Sequence, residues 1–406
     1  MRLNRRRAIA LGLGSVGALV GARCALPALL RHQPPTALPP DLQAQVDALF
    51  ADVDRKKVWD THVHLVGRGH GTDCAVSPEL TSRLHPWKNL QFDIYAAASG
   101  LSLDDDTPDS AYLDRLLALH RLANPQGKLV LLAFDRFVDD SGAEQPDKSE
   151  LFTPNEYVLE VARKNPDVIA CCSVHPYRKD AVARVERAIA GGARAMKWLP
   201  NAMGIDASDA RCDPVYEVLA KHRVPLIVHT GDEQAVDARE LQKLGDPRRL
   251  VRALEHGVTV VAAHVATTGS CGADASDGCF RALLAMMQDD RWRSLLYADI
   301  SAVAQRNRAG PDLVAILGDD ALQARLVNGS DYPLPAIDPL VSTRYLVRHG
   351  FLSDEDRNLC NRVFAHNPLL FDYVLKRKLR VIDEASKREQ RFLPRVFETS
   401  WLFSLS

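Results

Sequence analysis

Five residues of metal-ligating type stand at the ends of short apolar runs. His62 and His64 close Val58-Trp59-Asp60-Thr61-His62-Val63-His64. Leu226-Ile227-Val228 runs into His229, Val260-Val261-Ala262-Ala263 into His264, and Val327-Asn328-Gly329-Ser330 into Asp331. On an extended strand alternate side chains share a face, so His62 and His64 point the same way. Neutral imidazole is a common ligand of zinc and similar ions. A lone His-x-His pair is equally well explained as two core or surface histidines. Four histidines and a carboxylate, each ending an apolar run, are harder to explain that way. Burying so many polar groups without a partner is costly, and a cation resolves the cost directly. The five residues are therefore the expected ligands of a divalent metal, zinc first, with one or two ions per site.

The elements that must position these residues are legible around them. Apolar, β-branched runs at 58–64, 129–134, 168–174, 194–199, 225–230, 258–264, 295–300 and 326–331 read as strands. Amphipathic stretches such as 154–165, 180–191, 211–223, 279–290 and 310–318 read as helices between them. Near-continuous apolar strands alternating with helices imply a parallel sheet covered by helices. Eight such units favour a closed α/β barrel, the (β/α)8 TIM barrel, whose C-terminal strand ends line the active site. Polar residues end successive runs at a regular interval: 197 to 229, 229 to 264, 264 to 299 and 299 to 331. Residues 65–128 form a lid insertion after the first strand, carrying the acidic run Asp104-Asp105-Asp106. Closing C-terminal helices occupy 338–376, and 377–406 reads as a tail packed on the outside or partly mobile. The expected division is 1–40 export signal and linker, 41–376 barrel, 377–406 tail.

On these pieces the chain resembles the amidohydrolase superfamily, in its amidohydrolase-related (amidohydrolase 2) branch. The matching motifs are D-T-H-V-H at 60–64, M-K-W-L-P at 196–200, L-I-V-H-T-G at 226–231, A-A-H at 262–264, N-G-S-D-Y-P at 328–333 and H-N-P-L-L-F at 366–371. The resemblance covers residues 56–375. It implies that His62 and His64 are first-strand ligands, that His229 and His264 belong to strands five and six, and that Asp331 both binds metal and handles protons. In several families of the superfamily a lysine at the end of strand four carries CO2 as a carbamate bridging two metals. Lys197 stands at that place. It is a carbamate bridge, a positive group for a substrate carboxylate, or a structural lysine. Trp198, His175, Arg178 and Tyr332 are weaker candidates for touching substrate, with Trp87 a further aromatic near the rim. Packing or turn roles explain these equally well.

The chemistry implied is hydrolysis of an amide, ester or lactone bond in a small molecule through a metal-bound hydroxide, with Asp331, His264 and Lys197 as the catalytic set. One rival is non-oxidative decarboxylation of an aromatic or unsaturated carboxylic acid, which relatives with similar ligands perform. Another is a non-catalytic exported metal-binding barrel. Retention of the last-strand acid argues against the latter.

Charge excludes one class of partner. With 51 basic and 52 acidic residues in 406, the net charge is −1 and nothing favours nucleic acid. The expected partners are a small-molecule substrate and further copies of the chain in a homo-oligomer. Of the eight cysteines, Cys171 and Cys172 lie in an apolar run and read as buried small hydrophobes. Cys271 and Cys279 flank a polar loop and are close enough in sequence to pair. Arg5-Arg6-Arg7 precedes an uncharged, Gly- and Ala-rich run from Ala8 to Ala22, and a Pro-rich linker follows at 33–40. This pattern reads as a twin-arginine-like export signal to the periplasm, with a membrane anchor as the alternative. Any membrane association is expected only through this segment. Replacing Arg5, Arg6 and Arg7 together by Lys keeps the charge and removes the arginine signature. The variant is expected to accumulate in the cytoplasm with its N-terminus uncleaved, as fractionation and N-terminal sequencing would show; normal export would rule the twin-arginine route out.

Overall fold

A computed structural model describes residues 34–101, 106–271, 278–383 and 386–404. The export segment with Cys24, and Asp104-Asp105 of the acidic run, lie outside the described residues. The first helix among the described residues, Pro40–Ala48, starts directly after the Pro-rich linker and buries Leu42 and Val46.

All eight apolar runs form strands. They are β1 (Trp59–His64), β2 (Lys128–Leu132), β3 (Val168–Cys172), β4 (Ala195–Trp198), β5 (Leu226–His229), β6 (Val260–Ala263), β7 (Leu296–Asp299) and β8 (Leu326–Val327). They make one parallel sheet in sequence order, with the expected helices between them. Strands β4, β5 and β6 are buried at every position, because one face lines the barrel and the other meets helices. The helix Ala181–Ala190 shows the complementary pattern. It buries Ala181, Val185 and Ala188, a stripe at helical spacing, and leaves its arginines outside.

The ring closes just past β8. Thr61 N–H donates to Asn328 O at 3.1 Å, Asp331 N–H to His62 O at 2.8 Å and His64 N–H to Tyr332 O at 3.0 Å. Gly329 makes this approach feasible, since a Cβ there would lie 2.6 Å from the Cβ of His62. The closure therefore sets His62 and Asp331 side by side.

The insertion after β1 is helical where it covers the mouth. Helices Pro86–Ala98 and Pro108–Ala123 both begin with Pro in the first turn, where its missing N–H is harmless. Asp109, 1% exposed, accepts from the backbone N–H groups of Arg68 (2.7 Å) and Gly69 (3.0 Å), and from the hydroxyl of Thr72. It thereby folds the loop after β1 onto the second helix. Lys88 on the first helix pairs with Glu79 (2.8 Å), Glu150 (2.7 Å) and Asp237 (3.0 Å), joining the lid to the loops after β2 and β5.

The described residues of the 377–406 segment differ from the expected outer or partly mobile tail. Arg380–Ile382 pairs antiparallel with Glu389–Arg391. Beyond it, Leu402 and Phe403 join Val130, Cys171, Ala195, Ile227, Val261 and Val327 in the cluster inside the barrel. Thr399 fastens this plug, donating its N–H to Lys57 O (2.9 Å) and its hydroxyl to Trp59 O (2.7 Å). The segment thus stoppers the strands' N-terminal end, which leaves the other end for the site. Cys271 and Cys279 form a disulfide. Cys171 and Cys172 are buried free thiols, as expected. Among the described residues no helix is long and apolar enough to cross a membrane.

Gly329→Ala should overpack the β1–β8 contact and lower stability by about 1–3 kcal/mol, the usual range for added bulk in a packed interior. Calorimetric or urea unfolding would report it, and an unchanged transition would mean that the two strands do not approach so closely.

Candidate active site

His62, His264 and Asp331 bring ligand atoms within 4.8 Å of one another, all buried. His64 Nε2 lies 3.0 Å from Asp331 Oδ1, and His62 Nε2 lies 3.5 Å from the same oxygen. The rings of His229 and His264 meet edge to face at 4.9 Å. All five expected ligands therefore converge at the strands' C-terminal ends. Lys197 joins them, 2% exposed, with Nζ 3.2 Å from His62 Nε2.

The end of β7 organises this cluster. Asp299 Oδ2 is 2.9 Å from His62 Nδ1, while its Oδ1 accepts from the backbone N–H groups of His264 and Ser301, each at 3.0 Å, and from the Ser301 hydroxyl. The His62 bond puts the proton on Nδ1 and leaves the lone pair on Nε2 facing Lys197 and Asp331. Ser301 Oγ is also 2.8 Å from His264 Nδ1. Two of the candidate ligands sit on strained backbone: His264 has φ 63° and Asp331 φ 64°, left-handed values that side-chain-bearing residues seldom adopt. Such strain concentrates where function over-determines a residue's position.

Burial sets the protonation states. It holds the imidazoles of His229 and His264 well below their ordinary pKa, and lowers His62 together with the nearby Lys197 charge. Burial also lowers the Lys197 ammonium pKa. For Asp331, burial pushes upward, but the neighbouring His264 and the hydrogen bond from His64 outweigh it and keep the carboxyl well below its usual range. Burial thus favours the neutral imidazoles of His62, His229 and His264, and the neighbours of Asp331 favour its carboxylate. His229 Nε2 is buried without a hydrogen-bond partner among the described residues. A bare imidazole lone pair beside a carboxylate and further histidines fits a divalent ion of zinc type.

The profile of the Amidohydro_2 family, described as amidohydrolase, matches residues 59–369. The chain belongs to the amidohydrolase family. No functionally curated protein matches it. Among solved structures it is similar to an uncharacterised TIM-barrel protein from Bordetella bronchiseptica, at 15% identity over 78% of this chain and 99% of that one, TM-score 0.44. It is similar to a probable 2-pyrone-4,6-dicarboxylic acid hydrolase from Acinetobacter baumannii, at 12% identity over 79% and 95%, TM-score 0.44. A 5-carboxyvanillate decarboxylase from Sphingomonas paucimobilis matches at 12% identity over 77% and 96%, TM-score 0.43. The amidohydrolase match spans every strand of the barrel and the residues of the cluster.

The weaker candidates are placed elsewhere. None of Trp198, His175, Arg178 and Tyr332 lines the cavity over the cluster. Trp198 is 1% exposed and donates its indole N–H to Val174 O at 2.9 Å. His175 is bonded through Nε2 to Met203 O at 2.9 Å. Arg178 is locked on Asp135 by two bonds of 2.6 and 2.8 Å and on Glu144 at 2.6 Å. Tyr332 is buried beside Tyr112. Trp87 is 72% exposed on the lid. Three residues near the centre escaped the sequence reading: Ser301, Glu233 and Arg308. Ser301 carries a signal, being two residues past Asp299. Glu233 stands four residues past His229, with Oε2 3.3 Å from His229 Nδ1. Arg308 lies in a loop, where spacing says nothing.

Asp299 touches His62 and the backbone of His264, so its loss should weaken metal retention without removing a ligand. Protein prepared without chelators should hold at least one divalent ion, and Asp299→Asn should lower its affinity by about 10–100-fold, the range for residues that orient metal-bound histidines. Elemental analysis with a chelator titration would measure both. A wild-type metal content near zero that added zinc, manganese or iron does not raise would refute the metal site.

Proposed function

We propose that the protein is a metal-dependent hydrolase of an amide, ester or lactone bond in a small molecule. The carrying observation is the buried His62, His264 and Asp331 cluster at the cavity floor, with His64, His229 and Lys197 around it. A divalent cation bound there supplies a water of lowered pKa and polarises a scissile carbonyl.

The chain's own groups supply the rest. Asp331 is ionised and ready to accept a proton, and it stands among groups that can pass one on. His64, 3.0 Å away and with a partly exposed side chain, offers a path between Asp331 and the cavity. The water proton goes to Asp331 and then to the leaving oxygen or nitrogen, so hydrolysis ends with the carboxylate regenerated. Burial favours the neutral amine of Lys197, the form a carbamate requires; the roles of a positive group for a substrate carboxylate and of a structural lysine stand beside it. The lid lines the cavity with Phe92, Tyr95 and Tyr112. Tyr112 also donates its hydroxyl to His64 O at 2.6 Å, so the lid helix holds the end of β1 in place. Displaced water strengthens every electrostatic interaction at the floor.

Asp331→Asn keeps the shape and removes the base, and kcat should fall by at least ~10²-fold. A screen of esters and lactones with metal-loaded protein would find the substrate on which to measure it, with metal content determined in parallel. Near-normal turnover in the variant would assign the proton transfer elsewhere, and release of CO2 from an aromatic acid without water uptake would replace hydrolysis by decarboxylation.

A further inference from the structure

Arg308 is among the charged groups of the cavity wall that the hydrolytic chemistry leaves unused. Arg308 follows β7 in the loop that also carries Ser301, and it is 8% exposed. Its Nη1 donates to Thr267 Oγ1 at 3.1 Å, and that hydroxyl donates to His264 O at 2.8 Å. The guanidinium is therefore held at a fixed remove from a residue of the metal cluster. Among the described residues no carboxylate is hydrogen-bonded to it. Nε is buried without a partner among the described residues, while Asp331, Glu233 and Asp299 act on it only through space. A buried cation without a hydrogen-bonded counter-ion gains stability from something that supplies one.

The cavity says what that something is. It has about 180 Å³ of internal space, and its wall is apolar at Leu80, Phe92, Tyr95, Leu199, Val236 and Leu334 but also carries Arg68, Glu150 and Glu233. Such walls take an apolar body, flat or aliphatic, and a guanidinium takes a planar two-oxygen anion in its fork. With the carboxylates of Glu233 and Asp331 on the same lining, a singly charged carboxylate suits this guanidinium better than a phosphate dianion.

We propose that Arg308 is the anion-binding residue of the substrate site, and that the substrate is an apolar or aromatic molecule carrying one carboxylate besides its hydrolysable bond. The proposal rests on the reading of this cavity as a hydrolytic site, and deepens it by naming the substrate class. Because Thr267 links Arg308 to His264, the carboxylate is anchored at a set distance from the cluster. The scissile carbonyl is then the part of the molecule left over the floor.

Benzoate and its neutral isostere benzamide separate recognition from turnover. Calorimetric titration of the zinc-loaded protein should show benzoate binding at least ~10-fold more tightly than benzamide, as charge-assisted bidentate pairing implies. The same preference should persist in metal-free protein, because Arg308 rather than the ion provides it. Arg308→Met should abolish it in both forms. Arg308→Gln keeps a donor for Thr267 and carries the test if the Met variant does not fold. A preference absent from the wild type, or kept in the variant, overturns the proposal; so does one that vanishes with the metal. Failure of every ester and lactone to react, with the Arg308-dependent preference intact, would sink the hydrolase reading alone. Hydrolysis that is indifferent to Arg308 and to substrate charge would sink the present proposal alone.

Discussion

Asp299 is fully buried, and a buried carboxylate is tolerable only where hydrogen bonds replace the water it has lost. Four groups do so: His62 Nδ1, the backbone N–H groups of His264 and Ser301, and the Ser301 hydroxyl. These bonds fix more than the carboxylate. They turn the His62 ring, choose its tautomer and hold the chain at His264, where the backbone enters the left-handed region. A metal-binding histidine needs a second partner to fix its ring and tautomer. Here one acid at the end of β7 serves candidate ligands from β1 and from the end of β6.

A second layer supports the other side. Lys376, fully buried in the closing helix Pro368–Lys378, donates to Gly329 O and to Asp372, each at 2.6 Å. Asp60 accepts from Ser330 N–H at 2.7 Å and from His62 N–H at 3.2 Å. Burial pushes Asp60 up to about 6 and Asp372 up to about 7, against the pull of Lys376. The backbone that delivers Asp331 is thus gripped from β1 and from the closing helix together. This explains why an Asn precedes that helix in H-N-P-L-L-F. Asn367 Oδ1 caps it, accepting from Leu369 N–H (3.1 Å) and Leu370 N–H (2.9 Å), and so sets where Lys376 falls two turns later.

The strands and the cluster were legible because each combined an apolar run with a terminal polar residue, a pattern that survives without knowledge of the fold. The period of two also contained a lesson that the sequence reading missed. Lys197 faces the barrel interior, so its neighbour Trp198 must face the helix layer, and it does. His175 and Arg178 lie in the turn after β3, where backbone direction decides which way a side chain goes. The lid helices were obscured by turn-rich composition, since Asp109 and Lys88 hold them through contacts distant in sequence. The floor plug was hidden for the same reason. Leu402 and Phe403 are ordinary apolar residues until the barrel exists to receive them.

The division between floor and wall has a consequence for how such a site can change. Floor residues are coupled: Asp299 serves two ligands, Gly329 sets the spacing of His62 and Asp331, and Asp60 ties the first strand to the last. Altering one disturbs several, so the ligand geometry resists piecemeal variation. Wall residues come from the insertion after β1 and from the segments after β2, β4, β5, β7 and β8, so that several separate segments reach the cavity. Replacing Leu80, Val236 or Leu334 alters the shape a substrate meets while leaving the imidazoles and Asp331 where they are. Specificity can therefore drift on the wall while the chemistry stays on the floor. Arg308 belongs to both, being on a wall loop yet tied through Thr267 to His264. It is the place where a change of substrate charge would be felt at the chemical centre.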